Sequence, residues 1–190
     1  MNTPSHAAAS LLLGRKQAGW SAVTALVGGA ILPDAAMFVF YGYQKLAGRA
    51  EKEIWGELYF TSEWQLFFDW FNSIPIFLLL ATTCYFLKAR WWTLLFASAL
   101  LHVLCDLPVH NDDAHRHFLP LTHWRFISPV SYWDPKHFGI YFASFELLFS
   151  IGASVYVGIK SKDLPMRIAA FGTLSLYPLA IVLALIFWIL

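Results

Sequence analysis

Six of the seven histidines fall between His102 and His137, interleaved with Asp106, Asp112, Asp113 and Asp134. Imidazole nitrogens and carboxylate oxygens are the donors that hold a borderline divalent cation. His102 and Asp106 are four residues apart and share one face of a helix, and His110 takes the next four-residue step if that helix continues through Pro108. The run His110-Asn111-Asp112-Asp113-Ala114-His115-Arg116-His117 then adds five candidate ligands: His110, Asp112, Asp113, His115 and His117. This donor set suits zinc best, and manganese or iron also fit because carboxylates broaden the choice.

A catalytic zinc leaves one coordination position to water and lowers the pKa of that water to about 7. Asp112 or Asp113 beside it would serve as general base or as a ligand to a second metal. Arg116 or Arg125 would hold an anionic group bidentately. Plainer accounts stand beside these. A buried His-Asp pair can be a structural hydrogen bond, and a four-ligand site cannot use the whole 110–117 run. Arg125 lies in an aromatic segment where cation-π packing would explain it, and His123 and His137 are weaker ligand candidates.

The elements that position these residues are those of a membrane protein. Hydrophobic residues make up 58% of the 190 and aromatics 18%, with only 13% charged and a mean hydropathy of +0.56, against about 25% charged in a soluble domain. A net charge of +1 provides no global field to recruit nucleic acid. Cys84 and Cys105 sit in apolar runs without CxxC spacing, which excludes a disulfide framework and a thiolate metal site.

Ala7 to Leu13 precede Arg15 and Lys16, the reverse of a cleavable signal, and Thr3-Pro4 reads as an N-cap and first helical residue. A short helix from about Pro4 to Leu13 is therefore expected. Apolar stretches follow at Trp20 to Tyr43, Phe67 to Leu87, Trp91 to Leu107, Phe138 to Ile159 and Met166 to Leu190. A hydrocarbon core needs about 20 helical residues, so the fold class is all-α, a polytopic membrane bundle of about five transmembrane helices plus the short N-terminal helix. Residues 1–190 form one integral membrane domain, in which the 109–137 loop lies outside the membrane and covers a polar pocket. Gly28, Gly29 and Pro33 should kink or break the first span near Asp34. The stretch from Lys45 to Trp70 mixes Glu51, Glu53, Glu57 and Glu63 with aromatics, as suits the membrane interface.

Arg15, Lys16, Lys88, Arg90, Lys160, Lys162 and Arg167 face one acid, Asp163, on one side, which the positive-inside rule makes cytoplasmic. Lys45, Arg49, Lys52, Arg116, Arg125 and Lys136 soften the contrast, but the histidine-rich loop faces outward. Asp34, His102 and Glu146 then lie about 8 to 15 Å below the same outer surface, at 1.5 Å per residue. A charge at a helix centre costs at least about 2.5 to 3.5 kcal/mol, so three at one depth predict a shared polar pocket. Asp34 has a second reading as the cap of the turn after Pro33. An antiparallel hairpin would return His6 to the depth of Asp34, although this conflicts with cytoplasmic Arg15 and Lys16 unless the hairpin tilts or re-enters.

His6, Leu32-Pro33-Asp34, His102-Val-Leu-Cys-Asp106, Pro120-Leu-Thr-His-Trp-Arg125-Phe126 and Trp133-Asp134-Pro135 occur in the order and approximate spacing of a known pattern. The chain resembles the predicted membrane-bound metal-dependent hydrolases of bacteria, well over residues 100–137 and weakly over the N-terminal third. It departs from them in lacking the internal His-Arg-Gly-x-Thr-His segment, since no histidine stands between His6 and His102. The resemblance implies a bacterial inner-membrane protein with a metal site. Ligands would come from His6, Asp34, His102, Asp106, His110, His115 and His117.

Together these readings favour a hydrolase acting on a phosphoester or acyl bond of a lipid-like substrate at the membrane surface. The competing class is a non-enzymatic metal-binding or proton-coupled transport protein, whose polar residues would continue across the bilayer. The cytoplasmic halves of the spans carry no such trail.

Overall fold

The computed structural model describes residues 1–189, with side chains described as far as residue 178, and is helical without strands among the described residues. The helices are α1 (Thr3–Leu13), α2 (Trp20–Ile31), α3 (Ala35–Leu46), α4 (Glu51–Gly56), α5 (Ser62–Phe71), α6 (Ile74–Phe86), α7 (Arg90–Asp106), α8 (Gly139–Lys160) and α9 (Leu164–Ile189). Short 3-10 turns form at Leu58–Phe60 and Pro135–His137.

Small side chains decide where α1 goes. Its Ser5, Ala7, Ala8, Ala9 and Ser10 let neighbouring backbones approach closely, and α1 packs against α2, α7, α8 and α9 with every residue from Ser5 to Leu11 buried. Leu11 joins Val23, Leu26, Val157, Met166 and Ala170 in an apolar cluster below the polar end of the helix. The helix begins one residue earlier than the Thr3-Pro4 pattern predicts, because Asn2 is the N-cap and the Thr3 hydroxyl is drawn away to Asp34.

The expected break in the first span is present. α2 ends at Ile31, and α3 starts after Asp34 at an angle of 63°. Asp34 occupies the N-cap position of α3 but makes no capping bond, so its capping role is not realised. Gly29 serves a different end from chain breaking: a Cβ there would stand 2.1 Å from the Leu95 carbonyl oxygen and 2.7 Å from Ser98 Cβ. It marks the closest approach of α2 to α7. Ser98 exploits that approach, donating to the Leu26 carbonyl at 2.6 Å and accepting from the Ser10 hydroxyl at 2.8 Å.

The stretch Lys45 to Trp70 folds as α4, a 3-10 turn and most of α5, packed over α3 by Phe40, Ile54 and Phe68 with Tyr59 and Trp64. The second expected span becomes the pair α5 and α6, interrupted at Asn72 and Ser73, where Ser73 caps α6 through Ile76 N. Among the described residues, two stretches are long and apolar enough to cross a membrane, Ser62–Phe86 and Gly139–Lys160, and the bent pair α2 and α3 makes a third if it is one span. α7 has 17 residues, about 26 Å of helix. The fifth expected span, Met166 to Leu190, extends beyond the residues whose side chains are described.

The two ends of the bundle differ. At one, Asp163 accepts from Gly19 N and Met166 N, both at 3.0 Å, and Arg90 donates to Gln17 at 2.7 Å, which gathers the basic turns together. At the other, the long loop after α7 folds back on itself. Ser73 Oγ donates to the Leu119 carbonyl, Ser128 Oγ to Pro108, and Tyr132 N to Val109. α1 runs between these ends, so the hairpin brings His6 to the site while Arg15 and Lys16 remain with the basic turns.

The α2 to α7 crossing makes a paired prediction. Gly29→Ala should force the helices apart and cost about 1 to 3 kcal/mol, whereas Gly28→Ala, whose Cβ meets nothing nearer than Leu95 Cδ1 at 3.9 Å, should leave stability essentially unchanged. Thermal unfolding in detergent reads both, and equal midpoints for the two variants would contradict the close crossing.

Candidate metal centre

The last turn of α7 brings His102 and Asp106 to the polar end of α1. His102 Nδ1 donates to the Ala30 carbonyl at 2.6 Å, and because a carbonyl can only accept, the proton belongs on Nδ1. Nε2 then faces Asp106 Oδ2 at 2.9 Å and Asp34 Oδ1 at 3.6 Å without a hydrogen-bond partner. A neutral imidazole lone pair directed at two carboxylates is stable only with a positive charge between them, supplied by a proton or by a cation.

His6 completes the group. Its ring stacks on His102 with centroids 3.5 Å apart and planes 8° from parallel, and its Nε2 lies 3.0 Å from Asp106 Oδ1. Neither nitrogen of His6 has the geometry of a hydrogen bond. His6, His102 and Asp106 are all buried, and each offers a ligand atom within 4.8 Å of the others. Buried polar atoms are nearly always partnered, so orphaned nitrogens converging on a carboxylate fit a divalent cation.

The start of α1 is fastened by three carboxylates. Asp106 Oδ1 lies 2.5 Å from the Met1 nitrogen, Glu146 accepts from Asn2 N at 2.5 Å and from Asn2 Nδ2 at 3.2 Å, and Asp34 Oδ2 accepts from Thr3 Oγ1 at 2.5 Å. These acids come from α7, α8 and the α2 to α3 break. Negative charge is favoured at a helix N-terminus, where backbone N–H groups lack partners. Glu146, which shares their depth in the sequence, thus positions α1 and stands outside the ligand triad.

The loop forms the roof. α7 ends at Asp106, so the helix does not continue through Pro108, yet the turn still sets His110 Nε2 3.5 Å from Asp106 Oδ1. His110 Nδ1 lies 2.9 Å from Asp113 Oδ2, and Asp113 Oδ1 is buried without a partner. His115 Nδ1 stands 3.5 Å from Asp69 Oδ1. Arg116 grips both oxygens of that aspartate, by its backbone N–H at 2.8 Å and by Nε. His117 Nδ1 donates to the Asn72 carbonyl at 3.0 Å, leaving Nε2 buried and unpartnered. A cavity of about 90 Å³ lies between floor and roof, lined by Asp34, Asp106, His110, Asp113, His115 and Tyr132 among others.

Charge in the roof follows from burial and neighbours. Burial disfavours the charged form of His110, but Asp106 and Asp113 outweigh it and raise this histidine to about 9. Burial would lift Asp113, and His110 and His115 reverse the effect to hold it below the usual carboxylate range. Burial and the adjacent Asp113 raise Asp112. For His117, burial and then His115 dominate, lowering it to about 4 despite the Asn72 carbonyl.

The structure therefore gathers His6, Asp34, His102, Asp106 and His110 around one point, with Asp113 and His115 adjoining and His117 behind them. Asp112 is exposed beside the cavity, and Arg116 is held by Asp69. Arg125 is half-buried and lines no part of the cavity, His123 is exposed, and His137 pairs with Asp134 at 2.7 Å. Sequence reasoning missed Asp69, which is fully buried. An acid inside Phe67-Phe68-Asp69-Trp70-Phe71 was the available signal. Asn72, Tyr59 and Tyr132 also escaped it, being ordinary residues until the loop folds over them. Comparison of the chain with family models, curated proteins and solved structures returned no match.

The lowered pKa of His117 means that the folded protein binds fewer protons there than the unfolded chain, so this ring removes stability as pH falls from about 6.5 towards about 4. Nitrogen chemical shifts of labelled His117 should stay those of a neutral imidazole from pH 8 down to 5. A titration midpoint near 6.5 would show instead that the loop leaves the ring in water.

Proposed function

We propose that the chain is an integral membrane protein of about five spans and acts as a metal-dependent hydrolase, with His6, His102 and Asp106 as the central ligands. The observation that carries this reading is the buried triad whose imidazole nitrogens converge on one carboxylate without hydrogen-bond partners. Asp34 and His110 stand close enough to complete the set. Two or more imidazoles with carboxylates favour zinc, and manganese or iron fit the same donors. The resemblance to bacterial membrane-bound hydrolases supports the same assignment.

A bound divalent cation supplies a Lewis acid at the cavity, polarising the oxygen of the scissile bond. The protein supplies the rest. Asp113 lines the cavity with one free oxygen and is the base that takes a proton from the attacking water, while His110 holds its other oxygen in place. Asp112, outside the small cavity, is the alternate acid for a second cation. Arg116 positions the roof through Asp69. Bonds of the phosphoester or acyl type in a lipid-like substrate suit a site at the end of the bundle opposite the basic turns. In a bacterial inner membrane that end faces outward.

Transport is the weaker reading. Between the site and the basic turns, the buried polar groups among the described residues are hydroxyls such as Ser10, Ser98, Ser150 and Ser154, without a buried imidazole or carboxylate. A proton-coupled path would need such groups further down.

Purified protein should retain close to stoichiometric metal, and His102→Ala and Asp106→Ala should each lower retention at least tenfold. Turnover of fluorogenic phosphodiester or acyl ester substrates should stop on chelation, return with zinc, and be absent from both variants. Metal content equal to wild type in the double variant would remove the centre, and unchanged turnover would remove the enzyme. For orientation, a cysteine at exposed Thr122 should react with an impermeant thiol reagent in intact cells, while one at Lys162 should react only after lysis; the opposite pattern would invert the topology.

A further inference from the structure

Beside the candidate metal centre lies a second cavity of about 340 Å³, whose aromatic lining has no part in the hydrolase reading. Its size is that of a small-ligand site. Trp55, Tyr59, Phe60, Tyr132 and Trp133 supply its aromatic lining. Tyr59 stands 5.9 Å from Trp55 with planes 47° apart and 5.0 Å from Phe60 with planes 85° apart, so these rings present surfaces in different directions. The charged residues of the lining are two carboxylates, Asp112 and Asp113, and no cationic side chain lines it.

Aromatic faces are negative at their centres and attract cations, and an aromatic-walled pocket is how proteins recognise quaternary ammonium groups. The carboxylates strengthen that preference. Asp113 is 94% buried by its 6% relative exposure, and its Oδ1 has no partner although it lines the pocket. Met37, Tyr59, Asp113 and Tyr132 line this cavity and the small cavity over the triad alike, so the two are contiguous. Asp112 and Asp113 disfavour an anion here, and a neutral alkyl group would leave Asp113 Oδ1 unpaired.

We infer that the aromatic cavity binds a quaternary ammonium group, as found in a choline headgroup. Its role as the substrate's headgroup site, with the adjoining phosphoester over the triad, rests on the hydrolase reading. The cation site itself does not. A headgroup with cation and ester linked by a short chain fits two contiguous cavities of which one is aromatic and acidic and the other is lined by metal-binding groups.

Calorimetric titration of His102→Ala protein in maltoside micelles separates the two readings, because metal binding is already removed. Choline should bind at least tenfold more tightly than 3,3-dimethylbutan-1-ol, its neutral carbon isostere. Trp133→Leu and Asp112→Asn, both at exposed positions, should each weaken choline at least threefold, and Trp133→Phe should restore most of the loss. Equal affinity for choline and the isostere, or choline binding indifferent to both Trp133→Leu and Asp112→Asn, overturns the inference. Neither result bears on metal retention by the wild type, so the hydrolase reading stands or falls separately.

Discussion

The convergence of Asp34, Asp106 and Glu146 on the start of α1 is the constraint on which the rest of the molecule depends. Asp106 and Glu146 are buried and Asp34 is half-buried in a largely apolar bundle, and each would be costly alone. Together they meet the Met1 nitrogen, the backbone and side-chain N–H groups of Asn2 and the Thr3 hydroxyl, at a helix N-terminus whose dipole favours negative charge. Satisfying both sides at once requires α1 to lie inside the ring of α2, α7, α8 and α9. Once it lies there, His6 falls against His102 and the site has its floor.

That floor is assembled from elements distant in the chain, and each brings one chemical requirement. The break after Gly28, Gly29 and Pro33 frees the Ala30 carbonyl to orient His102 and turns Asp34 toward Thr3. Gly29 allows α2 to approach α7 closely enough for this. The arrangement gives Met1, Asn2 and Thr3 carboxylate partners while leaving the inner imidazole nitrogens without one. Buried polar atoms are nearly always partnered, so imidazole nitrogens left open around one carboxylate fit a bound cation.

The roof obeys a different logic. The 107–134 segment has almost no regular structure, yet Ser128 and Tyr132 fold it back on Pro108 and Val109, Ser73 holds its Leu119 carbonyl, and Asp69 clamps Arg116. Four of its side chains, His110, Asp113, His115 and Tyr132, thereby line a cavity of about 90 Å³. The aromatics of the α3 to α5 region close its side, and their rings extend the polar chamber into an aromatic one. A floor of helices and a roof of pinned loop give fixed side chains below and a shaped approach above.

The sequence by itself determined the helical, apolar character of the chain, the break near Asp34, and the pairing of His102 with Asp106. These follow from composition, from Gly and Pro, and from the four-residue helical period, all of which act locally. Tertiary structure alone decided that Asp69 holds Arg116, that Glu146 fastens Asn2, and that His110 stays beside Asp106 although its helix has ended. It also determined that His6 stacks on His102, which the sequence allowed only through a hairpin in conflict with the positions of Arg15 and Lys16. The physical reason is that a buried charge must find its partner wherever the packing of small residues permits approach, and sequence separation carries no information about that distance.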